Sequence, residues 1–459
     1  MIRQFALTAL TLVAPTMAAV PPEVAQDLYH RVTPSLVAVQ YVFENELGRH
    51  EFTGAGLIVS DEGLVMASMS MFPVQLPDDQ MKDFKILVPR ENDEPQELEA
   101  IFQGRDERTE TAFLKTKEPQ KWKAIHFEEV QVKIGDTVLS VGMLPKSANY
   151  KTYFTESTVS ATLRGEVPQV LVTGGGLAAM GAPVFNLEGK AIGMVSPYAQ
   201  SPLLNDPRQQ EMLAVITPPK LYIPTRQFAL SLEDPPSPEH PVHLPWLGVS
   251  SLKGVTKDLA ELMGLGSQPA IQVGDVIHDA PAEKAGLKSG DIIVKLNGQS
   301  IERGDEPAEL PMIFTRTLGR MKSGSTLTLS VLRDSGQPLQ DIQVTLGKQP
   351  KRANEAKHWY ADDLGFAVRE LVFADKYSMH LQNDQPGVMV SLLRPQAAAQ
   401  TGGLHMSDVI TKLDNEPVTD LDQFEKTYKQ IRKEKPREAI VMEVHRGDRD
   451  DTVRIEPPR

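Results

Sequence analysis

The feature that most constrains the fold is a repeat in the second half of the chain. The segment Ala280–Ile301 resembles the segment Arg394–Val418. The matching positions are Leu287, Asp291, Ile293, Lys295 and Leu296 in the first copy, and Leu404, Asp408, Ile410, Lys412 and Leu413 in the second. The period of about one hundred residues is longer than the roughly 20–50 residues of solenoid repeats. The sequence therefore predicts a duplicated domain.

Each copy contains both strand and helix signals. An apolar-glycine-apolar strand precedes each repeat, WLGV at Trp246 and LGFAV at Leu364, and a helical pattern with a last pair of strands follows it. In the second copy, four apolar residues at helical spacing predict a helix with one apolar face: Leu421, Phe424, Tyr428 and Ile431. We therefore expect each copy to be an α+β domain.

The first half of the chain is rich in short apolar runs separated by turn signals. It opens with a short amphipathic helical pattern that ends at Thr33-Pro34, and a strand follows. The later runs are GAGLIVSDEGLVMAS, FKILVP, TAFLKT, DTVLSVG, QVLVTG, KAIGMVS and MLAVITP. Regularly spaced short strands with little helix favour an antiparallel β barrel or sandwich.

Two breaks in composition divide the chain. The first has too many prolines for a helix or a central strand, and the second is polar and charged, so both are interpreted as linkers. At 459 residues the chain is too long for one compact core, and a length prior gives about three domains. The predicted parts are a signal peptide over 1–18, a first domain over 22–231, a linker over 232–244, a second domain over 245–347, a linker over 348–358 and a third domain over 359–459.

The N-terminus has the pattern of a secretory signal peptide. One early charge, Arg3, precedes an apolar run from Phe5 to Val13, and Thr16 and Ala18 are spaced as a cleavage site. The run is too short to span a bilayer, and no later stretch is long and apolar enough to do so. The alternative is a frayed hydrophobic N-terminal helix. We therefore expect a periplasmic or secreted protein, cleaved after Ala18.

Charge and cysteine content argue against several classes of function. The net charge is -13 and no basic cluster is present, so nucleic acid is not an expected partner. The chain contains no cysteine. An exported protein without disulfides must rely on sizeable cores, which suits a bacterial periplasm better than a small disulfide-stapled module.

Together these features resemble the HtrA (DegP-like) family of exported proteins, over nearly the whole mature chain. In the first domain the resemblance lies in GAGLIVSDEGLVMAS, GRDERTETAFLK, FTESTVSATLRGE and MGAPVFNLEGKAIGMVS, and in the second half it lies in the two repeat copies. The resemblance implies a mainly β chain: a chymotrypsin-like double β barrel followed by two α+β PDZ domains.

The three catalytic positions of the family carry other residues here. The resemblance places the family's histidine at Ser70, its acidic residue at Glu110 and its serine nucleophile at Met180. A methionine thioether has no proton to lose and forms no acyl enzyme, and a serine is not a base near neutral pH. Glu110 keeps a carboxylate but has no imidazole to orient. The resemblance thus implies the fold of a protease with a degenerate triad.

The resemblance also places the amides of the oxyanion hole, at Ala178 and Met180. If the turn requires a positive φ, alanine resists it where glycine would not. Two outcomes stay open, a turn that still forms and a turn that has relaxed into another shape.

Other residues of the first domain offer weaker hypotheses. Its histidines lie outside the motif positions, and a surface or strand histidine is the simpler interpretation than a displaced base: His30, His50 and His126. The serines with no partner identifiable from the sequence include Ser68, Ser70 and Ser196.

Two further spacings argue for neither a cofactor nor a metal. Gly176 and Gly181 have the spacing of the first half of a P-loop, but the residues that follow lack the lysine and hydroxyl that would hold phosphate and magnesium. His240 and His243 lie in the proline-rich linker with no third ligand placed. We therefore expect no cofactor and no metal.

The repeat copies keep the parts with which PDZ domains bind peptides. The family resemblance implies a ligand strand added to the sheet beside a helix, with the ligand's terminal carboxylate held by backbone N–H groups of an apolar-Gly-apolar loop. The loop residues are Trp246, Leu247, Gly248 and Val249 in the first copy, and Leu364, Gly365 and Phe366 in the second. The alternative is that each loop only starts a packing strand. The second copy departs further, since Ser407 replaces a glycine of the first copy's turn.

Three functions follow from these expectations. The main hypothesis is an inactive protease homologue that binds unfolded proteins or peptide C-termini and acts as scaffold, chaperone or regulator in protein quality control. The second is an active serine endopeptidase with a displaced site in the same barrel. The third is a structural subunit, since the resemblance implies trimers and makes a homo-oligomer or a mixed oligomer with an active relative plausible.

Overall fold

The structure is a computed structural model that describes residues 20–45, 48–74, 76–90, 93–163, 167–196, 220–304 and 306–457. The predicted signal peptide over 1–18 and the predicted strand over 212–218 lie outside these residues. Within the described residues, no helix has the length and apolar character needed to cross a membrane.

The chain begins with helix α1, Pro22–Val32, as the sequence predicts. Pro22 sits in the first turn, where its missing N–H costs nothing. Leu28 and Val32, one helical turn apart, are buried against the barrel core. A single 3-10 turn, Thr33–Ser35, leads into the first strand.

Six antiparallel strands then close into a first barrel, in the order β1-β2-β3-β6-β5-β4. The strands are β1 Leu36–Asn45, β2 Gly48–Ile58, β3 Leu64–Ser68, β4 Met81–Arg90, β5 Asp93–Asp106 and β6 Thr111–Thr116. Their inward side chains form one apolar core that includes Val37, Val39, Tyr41, Ile58 and Val65.

A second barrel of six strands closes in the order β10-β11-β12-β9-β8-β7. The strands are β7 Thr137–Met143, β8 Thr152–Leu163, β9 Gln169–Gly174, β10 Pro183–Asn186, β11 Ala191–Val195 and β12 Leu221–Pro224. Closure of both sheets confirms the barrel rather than the sandwich alternative, because a closed sheet leaves no free edge.

A short helix and an irregular segment follow the barrels. Helix α2, Ala229–Glu233, ends the first half of the chain. Residues 235–244 form neither helix nor strand, and Pro236 packs so closely on the first barrel that a Cβ at Gly104 would lie 3.1 Å from it. The proline-rich segment is therefore an extended connection laid against the first barrel.

The first repeat copy folds as an α+β unit. Its strands are β13 Pro245–Trp246, β14 Leu252–Gly254, β15 Ile271–Val273, β16 Ile292–Leu296, β17 Gln299–Ser300, β18 Thr326–Leu332, β19 Gln340–Thr345 and β20 Gly347–Lys348. Its helices are α3 Lys257–Leu262, α4 Pro281–Lys284 and α5 Leu310–Gly319. The main sheet runs β14-β15-β16-β18-β19 with β17 beside β16, and β13 pairs with β20 in a separate ribbon.

The second repeat copy has the same main sheet and three helices, with an additional edge strand, β21, and without a counterpart of the β13–β20 ribbon. Its strands are β21 His358–Ala361, β22 Phe366–Glu370, β23 Val388–Leu393, β24 Val409–Leu413, β25 Glu416–Pro417, β26 Ile440–Arg446 and β27 Arg449–Ile455. Its helices are α6 Phe373–Ser378, α7 Ala398–Thr401 and α8 Leu421–Glu434. The sheet runs β21-β22-β23-β24-β26-β27. The predicted apolar face of α8 is confirmed, since Leu421, Phe424 and Tyr428 are buried and Ile431 packs beside them.

Candidate active site and peptide-binding loops

Ser70 lies in a 3-10 turn, Met69–Met71, directly after β3. The Ser68 hydroxyl accepts the Ser70 N–H at 3.3 Å, and the two hydroxyl oxygens are 2.8 Å apart. The buried Tyr41 hydroxyl donates to the Met71 carbonyl at 2.7 Å. Burial raises the pKa of Tyr41 to about 12, although Arg105 opposes the rise, so the hydroxyl stays a donor at neutral pH. The turn at the family's histidine position is thus well held.

Glu110 occupies the turn between β5 and β6, beside the Ser70 turn. Its carbonyl accepts the Met69 N–H at 3.0 Å, and its backbone is left-handed with φ of 59°. The adjoining register pairs Ser68 with Thr111 across β3 and β6. The acid position and the histidine position of the family are therefore neighbours here.

The Glu110 turn rests on a buried ion pair that sequence reasoning missed. The Asp106 carboxylate is fully buried and accepts from Arg108 Nε at 2.9 Å and Nη2 at 2.7 Å. The Ser231 hydroxyl of α2 donates to it at 2.6 Å. The hydrogen bond to Asp106 raises the pKa of Arg108. The D-x-R spacing in GRDERTE was the available signal.

Met180 lies in a formed turn with its side chain 48% exposed. The Ala182 N–H donates to the Ala179 carbonyl at 2.9 Å, and the Gly181 N–H donates to the Val195 carbonyl at 2.8 Å. Positive φ falls on Gly176 and Gly181, and Ala178 is not among the positive-φ residues. The turn therefore forms without forcing alanine into the left-handed region.

The backbone amides of Ala178 and Met180 differ from those of their neighbours in their hydrogen bonding. Within the described part of the chain, neither donates a backbone hydrogen bond, whereas the Gly181 and Ala182 amides do. Ala178 is fully buried, and a Cβ at Gly142 would lie 2.5 Å from its Cβ. The two N–H groups that the family uses for an oxyanion are thus not taken by the turn itself.

The Met180 turn meets the Ser70 turn across the two barrels. A Cβ added at Gly181 would lie 3.3 Å from the Ala55 carbonyl oxygen and 3.8 Å from the Ser68 amide nitrogen. The structure therefore brings the three predicted positions into one place between the barrels.

The residues at this site lack the parts of a serine-protease relay. Of the histidines of the first domain, His30 is on α1, His50 on β2 and His126 in a loop, all exposed. Among the described hydrogen bonds, none joins one of these rings to Ser68 or Ser70. The serines for which the sequence identified no partner have partners in the structure: Ser68 and Ser70 bond each other, and Ser196 accepts from Gln169 at 3.2 Å. Those partners are not bases.

The first repeat copy presents its predicted loop beside α4. The Leu247 carbonyl accepts the Ala282 N–H at 2.8 Å, and the Gly248 carbonyl accepts the Ile277 N–H at 3.0 Å. Gly248 has φ of 84°, and a Cβ there would lie 2.3 Å from the Ala280 Cβ, so only glycine fits. Val249 forms a bridge to Val276 at the start of the sheet.

Trp246 has a different position from the one predicted. It lies in β13, paired with Gly347, and its ring meets the ring of Phe373 in α6 edge to face, with the centroids 5.5 Å apart. The residue predicted to line a ligand pocket thus packs between the two repeat copies.

The second repeat copy reproduces the loop bonds. The Leu364 carbonyl accepts the Ala399 N–H at 3.0 Å, and the Gly365 carbonyl accepts the Arg394 N–H at 2.8 Å. Gly365 has φ of 72°. Ser407, which replaces a glycine, adopts φ of 67°, so the serine accepts a conformation that glycine would take freely.

The segment between the repeat copies contacts the Glu110 turn. The Arg352 guanidinium binds both carboxylate oxygens of Glu107, with one N–O distance of 2.7 Å. The hydrogen bonds to Glu107 hold the pKa of Arg352 above its usual range. His358 of β21 contacts the side chain of Gln80, the last residue of the 3-10 turn Asp78–Gln80 of the first barrel.

One side-chain group in the described residues has the ligand types of a metal site: His278, Asp279 and Glu283. All three are exposed, and His278 pairs with Glu283 at 3.0 Å. Hydrogen bonding to Glu283 raises the pKa of His278. An exposed ion pair explains this group without a metal.

Family models match most of the described chain. The model described as a trypsin-like peptidase domain matches residues 54–194, and the model described as a PDZ domain matches residues 247–346 and 363–456. Among similar proteins is a "Probable periplasmic serine endoprotease DegP-like" of Marinomonas sp. (strain MWYL1), 30% identical over 395 residues that cover 84% of this chain and 75% of the relative. A protein of the same description from Pseudomonas savastanoi pv. phaseolicola is 29% identical, covering 86% of this chain and 77% of the relative.

Solved structures agree on the fold. The HtrA-type protease AlgW with decapeptide has a TM-score of 0.51 and 20% identity, covering 72% of this chain and 99% of that one. The same protease with tripeptide has a TM-score of 0.52 and 21% identity, covering 72% of this chain and 98% of that one. The fold is thus mainly β, a trypsin-like double barrel followed by two PDZ domains. With the curated relatives, these matches show that the chain belongs to the HtrA/DegP-like family.

Proposed function

We propose that this chain is a catalytically inactive member of the family that captures unfolded proteins or peptide C-termini. The observation that carries the proposal is Met180 at the nucleophile position, with its side chain half exposed in an ordered turn. Its thioether has no proton to transfer and forms no acyl enzyme. Ser70 stands where an imidazole would act, and its hydroxyl contacts another hydroxyl. Removal of the whole relay leaves only binding and oxyanion contacts to accelerate hydrolysis.

The peptide-binding half of the proposal rests on the first PDZ domain. Gly248 of its loop has a φ of 84°, a conformation suited to a loop that holds a terminal carboxylate with backbone N–H groups. Within the described residues, the Gly248 N–H donates no backbone hydrogen bond, and β15 is the sole ladder partner of β14. Leu247 and Val249 supply apolar walls beside that loop.

Location and assembly are proposed from the likeness to the relatives. Curated relatives are named periplasmic endoproteases, and we propose the same compartment here, reached by a signal peptide cleaved after Ala18. We propose the domain division 22–231, 245–347 and 359–459, with linkers between. A trimer, or a mixed oligomer with an active relative, is the assembly proposed. Mass measurement of the purified protein and of co-purified partners tests this, and a strictly monomeric, partner-free protein contradicts it.

An active endopeptidase is the second candidate, favoured by the names of the relatives and by one arrangement. The exposed Ser70 hydroxyl lies next to the Glu110 turn. A carboxylate is a weaker base for serine than imidazole. In this candidate, Ser70 would be the displaced nucleophile and Glu110 its base.

Turnover of casein by the purified protein separates the two candidates. If the protein is inactive, we expect no casein hydrolysis above that of a mock purification. The hydrolysis measured for Ser70→Ala and Glu110→Gln should then equal that of the wild-type protein. Hydrolysis that survives trace-protease controls and disappears in either variant would establish the displaced site. A serine-directed phosphonate gives a second readout: no labelled residue is expected, and a single labelled serine would overturn the inactive reading.

A further inference from the structure

The second PDZ domain has an edge strand that the first lacks. Strand β21 pairs antiparallel with β22, and the pairs are Trp359 with Val368 and Ala361 with Phe366. Aligning the two Leu-Gly pairs gives residues 241–244 as the first copy's counterpart of β21. Residues 241–244 form no strand, and β13 turns away to pair with β20. The free edge where PDZ domains add a ligand strand is thus already paired in the second copy.

The side chains of β21 fill the space between β22 and α8. The Trp359 ring lies 5.0 Å from the Tyr428 ring and 5.9 Å from the Phe424 ring, both on the apolar face of α8. Ala361 is buried in the core cluster that also contains Leu364 and Phe366 of the loop. Alternate residues of a strand point to the same side, so Trp359 and Ala361 both enter the groove.

The backbone of β21 also occupies the carboxylate site. The Gly365 N–H of the loop donates to the Ala361 carbonyl at 2.8 Å. The equivalent N–H of Gly248 in the first copy donates no backbone hydrogen bond within the described chain. Ala361 thus stands where the last residue of a bound peptide would place its carboxylate, with the chain continuing through Asp362 and Asp363.

A second set of contacts fixes the turn after β21. The Asp363 carboxylate accepts from the Tyr428 hydroxyl at 2.6 Å and pairs with Arg432 Nε at 2.8 Å. Both partners are on α8, so the turn and the strand are held by the same helix that a ligand would contact.

We propose that β21 is a built-in ligand of the second PDZ domain. The intact chain then offers one peptide groove without a paired edge strand, in the first PDZ domain, and the second groove admits only an extended segment that displaces β21. The side chains of β21 define two features of that segment, a small residue at the loop and an aromatic residue two positions before it, and the N–H of the loop favours a free C-terminal carboxylate at its end. This inference deepens the peptide-binding part of the proposed function and does not depend on whether the barrel is inactive.

The test uses the full chain and a peptide copied from β21, Lys-His-Trp-Tyr-Ala with a free carboxylate and an N-terminal photo-crosslinker. In the wild-type protein, cross-links are expected on the first PDZ domain and not on β22 or α8. Trp359→Ala removes the ring that anchors β21, and we expect at least tenfold tighter binding at the second domain with new cross-links to β22 and α8, because the competent fraction rises. Lys426→Ala, at an exposed position of α8, is the control and should leave the pattern unchanged.

If Trp359→Ala does not fold, hydrogen exchange of the wild-type protein tests whether β21 stays paired with β22. The amides of β21 should exchange as slowly as those of the central strand β23. Rapid exchange of β21, or cross-links from the wild-type protein to β22 and α8 as strong as those to the first domain, would overturn the inference. Absence of cross-links to the first domain would count against the proposed function alone.

Discussion

At the scale of single residues, the Met180 turn shows that a side chain can change while its scaffold stays. The backbone bonds of Gly181 and Ala182 are made, and the positive φ values fall on glycines. Ala178 adopts ordinary backbone geometry, so the concern that alanine would resist the turn does not apply. The proposal of an inactive site therefore rests on side-chain chemistry at three positions and not on the backbone of the turn.

Restoring one catalytic residue should not restore proteolysis. Met180→Ser replaces a half-exposed side chain, so we expect folding stability within about 0.5 kcal/mol of wild type and no casein turnover. The relay acts as a unit, and only the triple variant Ser70→His, Glu110→Asp, Met180→Ser is expected to show turnover above background. Met180→Ala is the control for the side-chain change. Turnover by Met180→Ser alone would reveal a base elsewhere in the barrel.

The buried Asp106–Arg108 pair should be among the most sensitive sites of the first barrel. Asp106→Asn removes the carboxylate that pairs with the Arg108 guanidinium, whose side chain is 7% exposed. Breaking a buried pair in this way costs about 3–5 kcal/mol. The free energy of local unfolding, read from hydrogen exchange of β5 and β6, checks the value. Glu97→Gln, which removes an exposed partner of Lys85, should cost less than about 1 kcal/mol, and an equal cost for the two variants would contradict the prediction.

At the scale of elements, helix α8 depends on its N-cap. The Asp420 carboxylate accepts the Gln423 N–H at 2.9 Å and the Thr419 hydroxyl at 3.0 Å. We expect Asp420→Ala to destabilise the second PDZ domain by about 1 kcal/mol, measured by hydrogen exchange of the α8 amides. Thr256→Ala, at the N-cap of α3, is the matched control and should affect the first PDZ domain only.

The same cap predicts a dependence on pH. The Gln423 hydrogen bond, with that of Thr419, holds the pKa of Asp420 below its usual 3.8. A lowered folded-state pKa means that the carboxyl stabilises the fold fully above the unfolded value and loses this contribution as pH falls through the folded one. The difference between wild type and Asp420→Ala should therefore be constant from neutral pH to about pH 5 and shrink below pH 3.8. A difference that grew on acidification would contradict the sign.

Local patterns predicted most elements because their signals are local. The helix α1, its end at Thr33-Pro34, the barrel strands within the predicted apolar runs and the apolar face of α8 all follow from period and turn residues. Strands β5 and β8, the longest of the barrels, lie outside those runs. Strand β21 and its pairing with β22 were not predicted, because that pairing depends on a four-residue connection and on α8, some sixty residues later. The Asp106–Arg108 pair was missed for a related reason, since burial of two charges is not visible in composition.

At the scale of the whole molecule, the segment between the PDZ domains connects them to the first barrel. Arg352 binds Glu107 at the base of the Glu110 turn, and Trp246 packs against Phe373 between the PDZ domains. His358, within β21, contacts the first barrel through Gln80. The strand that fills the second peptide groove is therefore also a contact to the barrel, so a segment that displaces β21 would release both.

Arg352→Ala tests this connection directly. The pair is about one-quarter to one-third exposed, and a charged bidentate hydrogen bond in such a setting contributes about 1.5–3 kcal/mol. A free-energy change of about 1.4 kcal/mol is a tenfold change in population. The form in which the segment between the PDZ domains is detached from the barrel should therefore become at least about tenfold more frequent. Limited proteolysis within residues 349–357 should then be faster by a similar factor, with a larger radius of gyration in solution. Lys351→Ala is the matched control, because that lysine pairs with Glu370 of the second PDZ domain rather than with the barrel. Equal proteolysis rates for the two variants would contradict the prediction. They would mean that the Arg352–Glu107 contact does not hold the PDZ domains, which then move relative to the barrel as loosely joined domains do by default.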